Sequence, residues 1–248
     1  MNFRERLRAG ELLAGTWIKT PHAHVVEVLA QGPLDCLVLD AEHAPFDRTS
    51  LDQCLLAASA GKAAVLVRPP TAADHHVLNA LDCGAAGVLA PHIRAADEAA
   101  ALVAACRHGP GGRGYAGSTR AAGYGRAPMA MHRRSGEALA VIAQIEDAEA
   151  LDRLDAIAAV PGLDALFIGR ADLTISLDAD SPDDARVVEA VQRIVSAGRR
   201  AGLATGMFLP RVADVSQWRD AGATLFLLES DHQFLRAGST ALANAIKG

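Results

Sequence analysis

Ala140-Val141-Ile142-Ala143-Gln144-Ile145-Glu146 and Asp164-Ala165-Leu166-Phe167-Ile168-Gly169-Arg170-Ala171-Asp172 decide how this chain folds. Each stretch is a short apolar run that leads into a carboxylate, and one helix-length segment separates them. Parallel strands joined by a single crossover helix can lie side by side, about 5 Å apart. Glu146 and Asp172 then meet at one rim of a sheet. Two bare carboxylates at that range repel, so a proton or a cation must sit between them, and a divalent metal with oxygen ligands fits.

The same rhythm runs from end to end. Short Val-, Leu- and Ile-rich runs occupy residues 13–18, 35–40, 63–68, 87–90, 140–145, 164–168, 203–208 and 224–228, bounded by Gly, Pro or Asp. Between them lie Ala-, Leu-, Glu- and Arg-rich stretches with helical spacing, such as 95–107 and 183–201. Nearly continuous apolar strands imply burial on both faces and hence a parallel sheet covered by helices. Eight such repeats in 248 residues predict a single domain, a closed (β/α)8 TIM barrel. A doubly wound open sheet is the alternative, but no dinucleotide-binding Gly fingerprint follows the first run. One segment, 109–136, breaks the rhythm with Gly109-Pro110-Gly111-Gly112-Arg113-Gly114-Tyr115-Ala116-Gly117. It reads equally as a solvated connector or as a functional loop.

Half the residues are apolar, the net charge is −5, and no basic block marks a nucleic-acid surface. No run is long enough to span a bilayer, and Met1-Asn2-Phe3-Arg4-Glu5-Arg6 leads into no signal-like apolar segment. Cys36, Cys54, Cys83 and Cys106 form no Cys-x-x-Cys pair and read as core thiols of a reduced, cytoplasmic protein. Lysine is confined to Lys19, Lys62 and Lys247.

In a β/α barrel, chemistry gathers where strands end. The second run ends in Asp40-Ala41-Glu42-His43-Ala44-Pro45, the third in Arg68-Pro69-Pro70, the fourth in Pro91-His92. The fifth supplies Gln144 and Glu146, two apart and so on one face, and the sixth supplies Asp172. Taken singly, each has a plain structural role. Arg68 suits an ion pair, Glu146 the first turn of a helix, Asp172 an N-cap, and Asp82 the end of a helix before Gly84. A lone His43 is more often a structural hydrogen-bonder than a base. Those separate roles leave the joint order unexplained.

That order resembles the HpcH/HpaI aldolase family, through Asp40-Ala41-Glu42-His43-Ala44-Pro45, Val67-Arg68-Pro69, Gln144-Ile145-Glu146 and Ile168-Gly169-Arg170-Ala171-Asp172-Leu173. Within the family the closest likeness is to the 4-hydroxy-2-oxoheptanedioate and 2-keto-3-deoxy-L-rhamnonate aldolases. The resemblance covers nearly the whole chain. It implies a metal-dependent barrel that cleaves 2-keto-4-hydroxy acids to pyruvate and an aldehyde. It further implies a homohexamer with a C-terminal helix exchanged between subunits. On this likeness Glu146 and Asp172 bind the metal, and Gln144, Ala171 and Asp172 contact substrate. Arg68 binds substrate and stabilises the transition state, His43 is the base, and Asp82 raises the basicity of that histidine. The family commonly has Pro at the place of Arg170, and often Gly near Glu229-Ser230-Asp231, so acceptor specificity is expected to differ there.

Retro-aldol cleavage takes the proton from the C4 hydroxyl and leaves pyruvate enolate. Mg²⁺, Mn²⁺ or Co²⁺ chelated by the keto acid would hold the new charge, with Arg68 as a fixed second cation. An imidazole titrates in the right range for the proton. Two rivals are a Schiff-base aldolase, for which only Lys19 is well placed, and a CoA-ester lyase of the citrate or malyl-CoA type. A barrel used only for binding or assembly is the non-enzymatic alternative. Trp17 reads as core, His22, His24, His75 and His76 receive no role, and Glu42 either touches metal-bound water or orders its loop.

Overall fold

The computed structural model describes residues 1–247. The strands β1 (Leu13–Ile18), β2 (Cys36–Asp40), β3 (Ala64–Arg68), β4 (Gly87–Ala90), β5 (Ala140–Ile145), β6 (Ala165–Ile168), β7 (Ala204–Leu209) and β8 (Leu225–Ser230) close into a barrel in chain order. Every neighbouring pair is parallel. The helices are α1 (Phe3–Arg8), α2 (Ala23–Ala30), α3 (Arg48–Ala58), α4 (Asp74–Asp82), α5 (Ala96–Cys106), α6 (Met129–Ser135), α7 (Leu154–Ala158), α8 (Arg170–Ser176), α9 (Ala185–Ala201), α10 (Val215–Ala221) and α11 (Asp231–Lys247).

The expected runs match these strands to within two residues at either end. The differences have local causes. Asp164 is an anchor rather than a strand residue: its Oδ2 accepts the Val141 N–H at 3.0 Å, and both oxygens accept from Arg4 Nε at 2.9 Å. Asp184 likewise caps α9 by accepting the Arg186 N–H, and Gly202 ends that helix at φ 69°.

Alternation along the strands sorts the core into two shells. Trp17, Val38, Leu66, Ile142, Phe167 and Leu227 belong to an inner cluster, whose floor is closed by Phe3 and Leu7 of α1. Their neighbours Leu37, Leu39, Val65, Val67, Val141 and Leu166 pack outward with the helices. One further step along the inward rows reaches Asp40, Arg68, Gln144 and Gly169. The floor of the barrel is therefore apolar and its C-terminal mouth is polar. All four cysteines are free and buried, and burial pushes the Cys36 and Cys106 thiols up to about 12.

The glycine-rich segment is neither a free connector nor part of the mouth. Arg113 is buried and pairs with Asp82 at the end of α4, and Arg120 Nη2 pairs with Asp52 of α3 at 2.7 Å. The segment thus folds back over two outer helices and ends in α6. The C-terminal helix behaves differently. Asp231 fixes its start by accepting the N–H groups of Lys19 and Thr20 at 2.8 and 3.0 Å. Beyond that residue α11 buries no other side chain, and Leu235, Leu242 and Ile246 are exposed. No helix among the described residues is long and apolar enough to cross a membrane.

Gly87 shows how tightly the barrel is drawn. A Cβ there would strike the Ala140 carbonyl on β5 and approach the Ala140 Cβ to 2.8 Å. Gly87→Ala is expected to lower stability by about 1–3 kcal/mol through overpacking. Urea unfolding should show a lower midpoint with an unchanged slope.

Candidate active site

Register places Asp40 of β2 beside Arg68 of β3 at the mouth of the barrel. Arg68 is 6% exposed. Its Nε and Nη2 donate to Asp40 Oδ1 at 3.0 and 2.8 Å, and Nη1 lies 3.1 Å from Glu42 Oε2. The guanidinium also sits 4.3 Å over the Trp17 ring. Trp17 is therefore core, as expected, and a stacking platform as well. Burial works against the Asp40 carboxylate, but the Arg68 charge, the His43 N–H and Lys19 outweigh it and hold the acid below its usual range. Lys19 Nζ lies 3.2 Å from Asp40 Oδ2.

Glu146 follows β5 and is buried. Gly169, at the end of β6, makes room for it, since a Cβ there would collide with the Glu146 carboxylate and Cβ and with Gln144. Gln144 Nε2 donates to Glu146 Oε2, and the His92 N–H donates to Glu146 Oε1 at 2.9 Å. Burial drives the Glu146 carboxyl above its usual range; the bonds from Gln144 and His92 oppose that, and Asp172 adds to it. Glu42 is raised as well, again chiefly by burial, against the charges of Arg68 and His92. His92 is raised although burial opposes it, because Asp147, Glu146 and Glu42 surround the ring. Donor atoms of Glu42, His92 and Glu146 lie within 4.8 Å of one another.

This cluster adjoins a cavity of about 210 Å³, lined among others by Trp17, His43, Arg68, Gln144, Ala171 and Asp172. Arg68, Gln144, Glu146, Ala171, Asp172 and His43 thus gather at one rim. Asp172 and Asp82 stand differently toward their expected partners. Asp172, exposed in the first turn of α8, lines the cavity and repels Glu146 electrostatically, but it is outside the 4.8 Å donor cluster. Asp82 pairs with Arg113 and makes no contact with His43 among the described residues. The reason is topological: Asp82 ends α4, and a helix that follows a barrel strand runs back to the opposite rim. His43 is exposed, with Nε2 3.7 Å from Glu42 Oε2.

The two departures from the family pattern take definite positions. Arg170 is tied by Nη2 to the Pro182 carbonyl at 2.8 Å and lies 5.4 Å over Trp218, with the residue at the cavity wall. Glu229 adopts φ 58° where the β1–β8 register shifts. That left-handed backbone favours glycine. The sequence reading left Glu42 open and gave no role to His92 or Asp40. The signals for Asp40 are its place at a strand end and the two-residue step from Val38 along an inward row. A larger groove, about 760 Å³, lies between the 151–156 segment and α9, but among the described residues it gathers no comparable donor set. Its Arg193 and Arg200 are paired with Asp152 and Asp155 at 3.4 and 2.5 Å.

Comparison with known proteins gives this site its setting. The family model for HpcH/HpaI aldolase/citrate lyase matches residues 13–237. The chain belongs to the HpcH/HpaI aldolase/citrate lyase family. Among relatives of this HpcH/HpaI chain, the 4-hydroxy-2-oxovalerate aldolase of Rhodococcus jostii is 37% identical over 98% of this chain and 94% of that one. The hydroxypyruvate/pyruvate aldolase of Paraburkholderia phytofirmans is 38% identical, covering 96% and 95%. A solved HpcH/HpaI aldolase/citrate lyase family protein from Burkholderia cenocepacia superimposes with a TM-score of 0.94 at 34% identity, covering 99% of this chain and 98% of that one.

The Asp40–Arg68 pair makes a stability prediction. Removing one member of a buried pair leaves the other uncompensated, so Asp40→Asn should cost about 3 kcal/mol at pH 7. A depressed folded-state pKa stabilises above the unfolded-state value, near ~4, and that gain is lost as pH falls through the folded value. The difference between wild type and Asp40→Asn in urea midpoints should therefore shrink below pH ~4.

Proposed function

We propose that this chain, with a divalent metal bound, is a class II pyruvate aldolase that reversibly splits 2-keto-4-hydroxy acids into pyruvate and an aldehyde. Its family makes it a carbon–carbon lyase of the 2-keto-acid aldolase kind. The observation that carries the finer reading is Arg68, a buried, prepositioned cation on the same small cavity as Gln144 and Asp172. The residues fit a hard divalent ion. Two carboxylates and an imidazole converge, burial raises both carboxyls of the cluster, and the buried Gln144 Oε1 has no hydrogen-bond partner. Glu146 and Asp172 would hold the ion, with Glu42 and His92 beside it; Mg²⁺, Mn²⁺ and Co²⁺ all suit this set. When bound, it supplies Lewis-acid polarisation of the keto group.

The side chains divide the remaining work. A guanidinium has five N–H donors. Arg68 gives two to Asp40 and turns a third toward Glu42, which leaves donors for the substrate's developing oxyanion without reorganisation. Gln144 offers its free Oε1, and Ala171 and Asp172 form the wall. His43 removes the C4 hydroxyl proton. The C3–C4 electrons then move into the keto group, the C4 fragment leaves as the aldehyde, and protonation at C3 completes pyruvate. Asp82 reaches a histidine of this kind only if it comes from a neighbouring subunit. That fits the oligomer, a hexamer on the family likeness, that the uncovered apolar residues of α11 favour. We assign the enzyme to the cytoplasm on its sequence.

Two rivals fare worse. Lys19 is ion-paired with Asp40, whereas a Schiff-base lysine needs a desolvated amine. The glycine-rich segment lies on α3 and α4, away from the cavity where it would have to cover a CoA pyrophosphate.

After chelator stripping, Mg²⁺, Mn²⁺ or Co²⁺ should restore pyruvate release from a 2-keto-4-hydroxy acid. His43→Ala should lower kcat by ~10²–10⁴, and Arg68→Ala by ~10²–10³. Borohydride with pyruvate should leave Lys19 unlabelled. Turnover that survives both the chelator and Glu146→Gln/Asp172→Asn would exclude this mechanism.

A further inference from the structure

We propose that His92 is itself a ligand of the divalent ion, through Nε2, so that this chain offers its metal nitrogen as well as oxygen. The inference rests on the reading that a metal binds at Glu146, and it concerns a residue outside the acid pair.

Three independent features aim this ring. The Nδ1–H donates to Asp147 Oδ2 at 3.0 Å, and Arg94 Nε stands behind that carboxylate at 3.1 Å. A carboxylate holding one ring nitrogen fixes the tautomer, turns the other lone pair outward, and is the usual support of a metal-binding histidine. Second, Nε2 lies 3.6 Å from Glu42 Oε1, and a ring nitrogen shares a 4.8 Å cluster with donor atoms of Glu42 and Glu146. Ligand atoms at right angles around an ion at bonds of ~2.1 Å stand ~3 Å apart, so the ring already occupies ligand territory. Third, the backbone is committed. His92 has φ 55°, a costly conformation for a residue with a Cβ. The His92 N–H to Glu146 Oε1 and the Ile93 N–H to the Gln144 carbonyl, at 2.9 and 3.1 Å, hold it there. A surface histidine without a task needs neither the strained backbone nor the carboxylate behind it.

The consequence is metal choice. Imidazole favours later first-row ions over Mg²⁺, which prefers oxygen. His92 therefore biases the site toward Co²⁺ over Mg²⁺ and Mn²⁺.

The test uses the full chain loaded with Mn²⁺ and read by pulsed EPR, with calorimetric titration of Co²⁺ and Mg²⁺. Glycine and asparagine both tolerate the left-handed backbone, so His92→Gly and His92→Asn keep the fold. Wild type should show a directly bonded ¹⁴N. Both variants should lose it and bind Co²⁺ at least ~10-fold more weakly, with a far smaller change for Mg²⁺. Bound Mn²⁺ without nitrogen coupling, or coupling that persists in both variants, overturns the inference and leaves the aldolase reading standing. A wild type that takes up no Mn²⁺ overturns both.

Discussion

A guanidinium buried at the mouth of a barrel must be neutralised where it lies, and Asp40 does this for Arg68. The pair is set by strand register, which puts the two residues side by side. Removing a charge from water is expensive unless a partner with good geometry replaces the solvent. Here the partner is bonded by two nitrogens, Trp17 covers one face, and Glu42 takes a third nitrogen. Arg68 is thereby rigid before any substrate arrives. Much of the mouth is organised by this pairing: Asp40 also accepts the His43 N–H at 3.2 Å, and so fixes where that imidazole begins.

The rest of the site grows from the barrel's two-residue period. Inward rows that are apolar at the floor, such as Val38, Leu66 and Ile142, continue as Asp40, Arg68 and Gln144. The apolar layers below supply the packing that lets the upper layer carry unfavourable features. These include left-handed backbones at His92 and Glu229 and a glycine pressed against Glu146. Strain of this kind persists only where surrounding structure over-determines it.

The fold was legible because period and burial are both written in the chain. Runs buried on both faces, separated by helical spacing, leave few architectures. The rim was legible as a set of strand ends, and with it Arg68, Gln144, Glu146 and Asp172. What was hidden depends on geometry between elements. Asp40 gains its meaning only when register sets it beside Arg68. His92 follows a proline at a strand end, and its ring direction comes from a backbone conformation that no periodicity reports. Asp82 lies between the third and fourth strands in sequence, and α4 carries it to the far rim, where Arg113 from the glycine-rich segment meets it. Arg170 stands where the family commonly has Pro, and its head is tied to the Pro182 carbonyl, a contact that no strand-end pattern reports.

Charge balance links the mouth of the barrel to its chemistry. The carboxylates Asp40, Glu42, Glu146, Asp147 and Asp172 outnumber the cations Lys19, Arg68 and Arg94 paired among them, and Arg170 and Glu229, also at the cavity, offset each other in formal charge. Burial denies that excess the solvation it would have at a surface, which is why Glu42 and Glu146 are pushed toward their neutral forms. His92 answers part of the imbalance by being drawn toward its charged form. A divalent cation bound there would answer that excess and let both acids stay ionised. The site would then carry less net negative charge before substrate enters. An anionic keto acid can approach it without net repulsion, and the enolate it becomes finds its charge met by groups already in place.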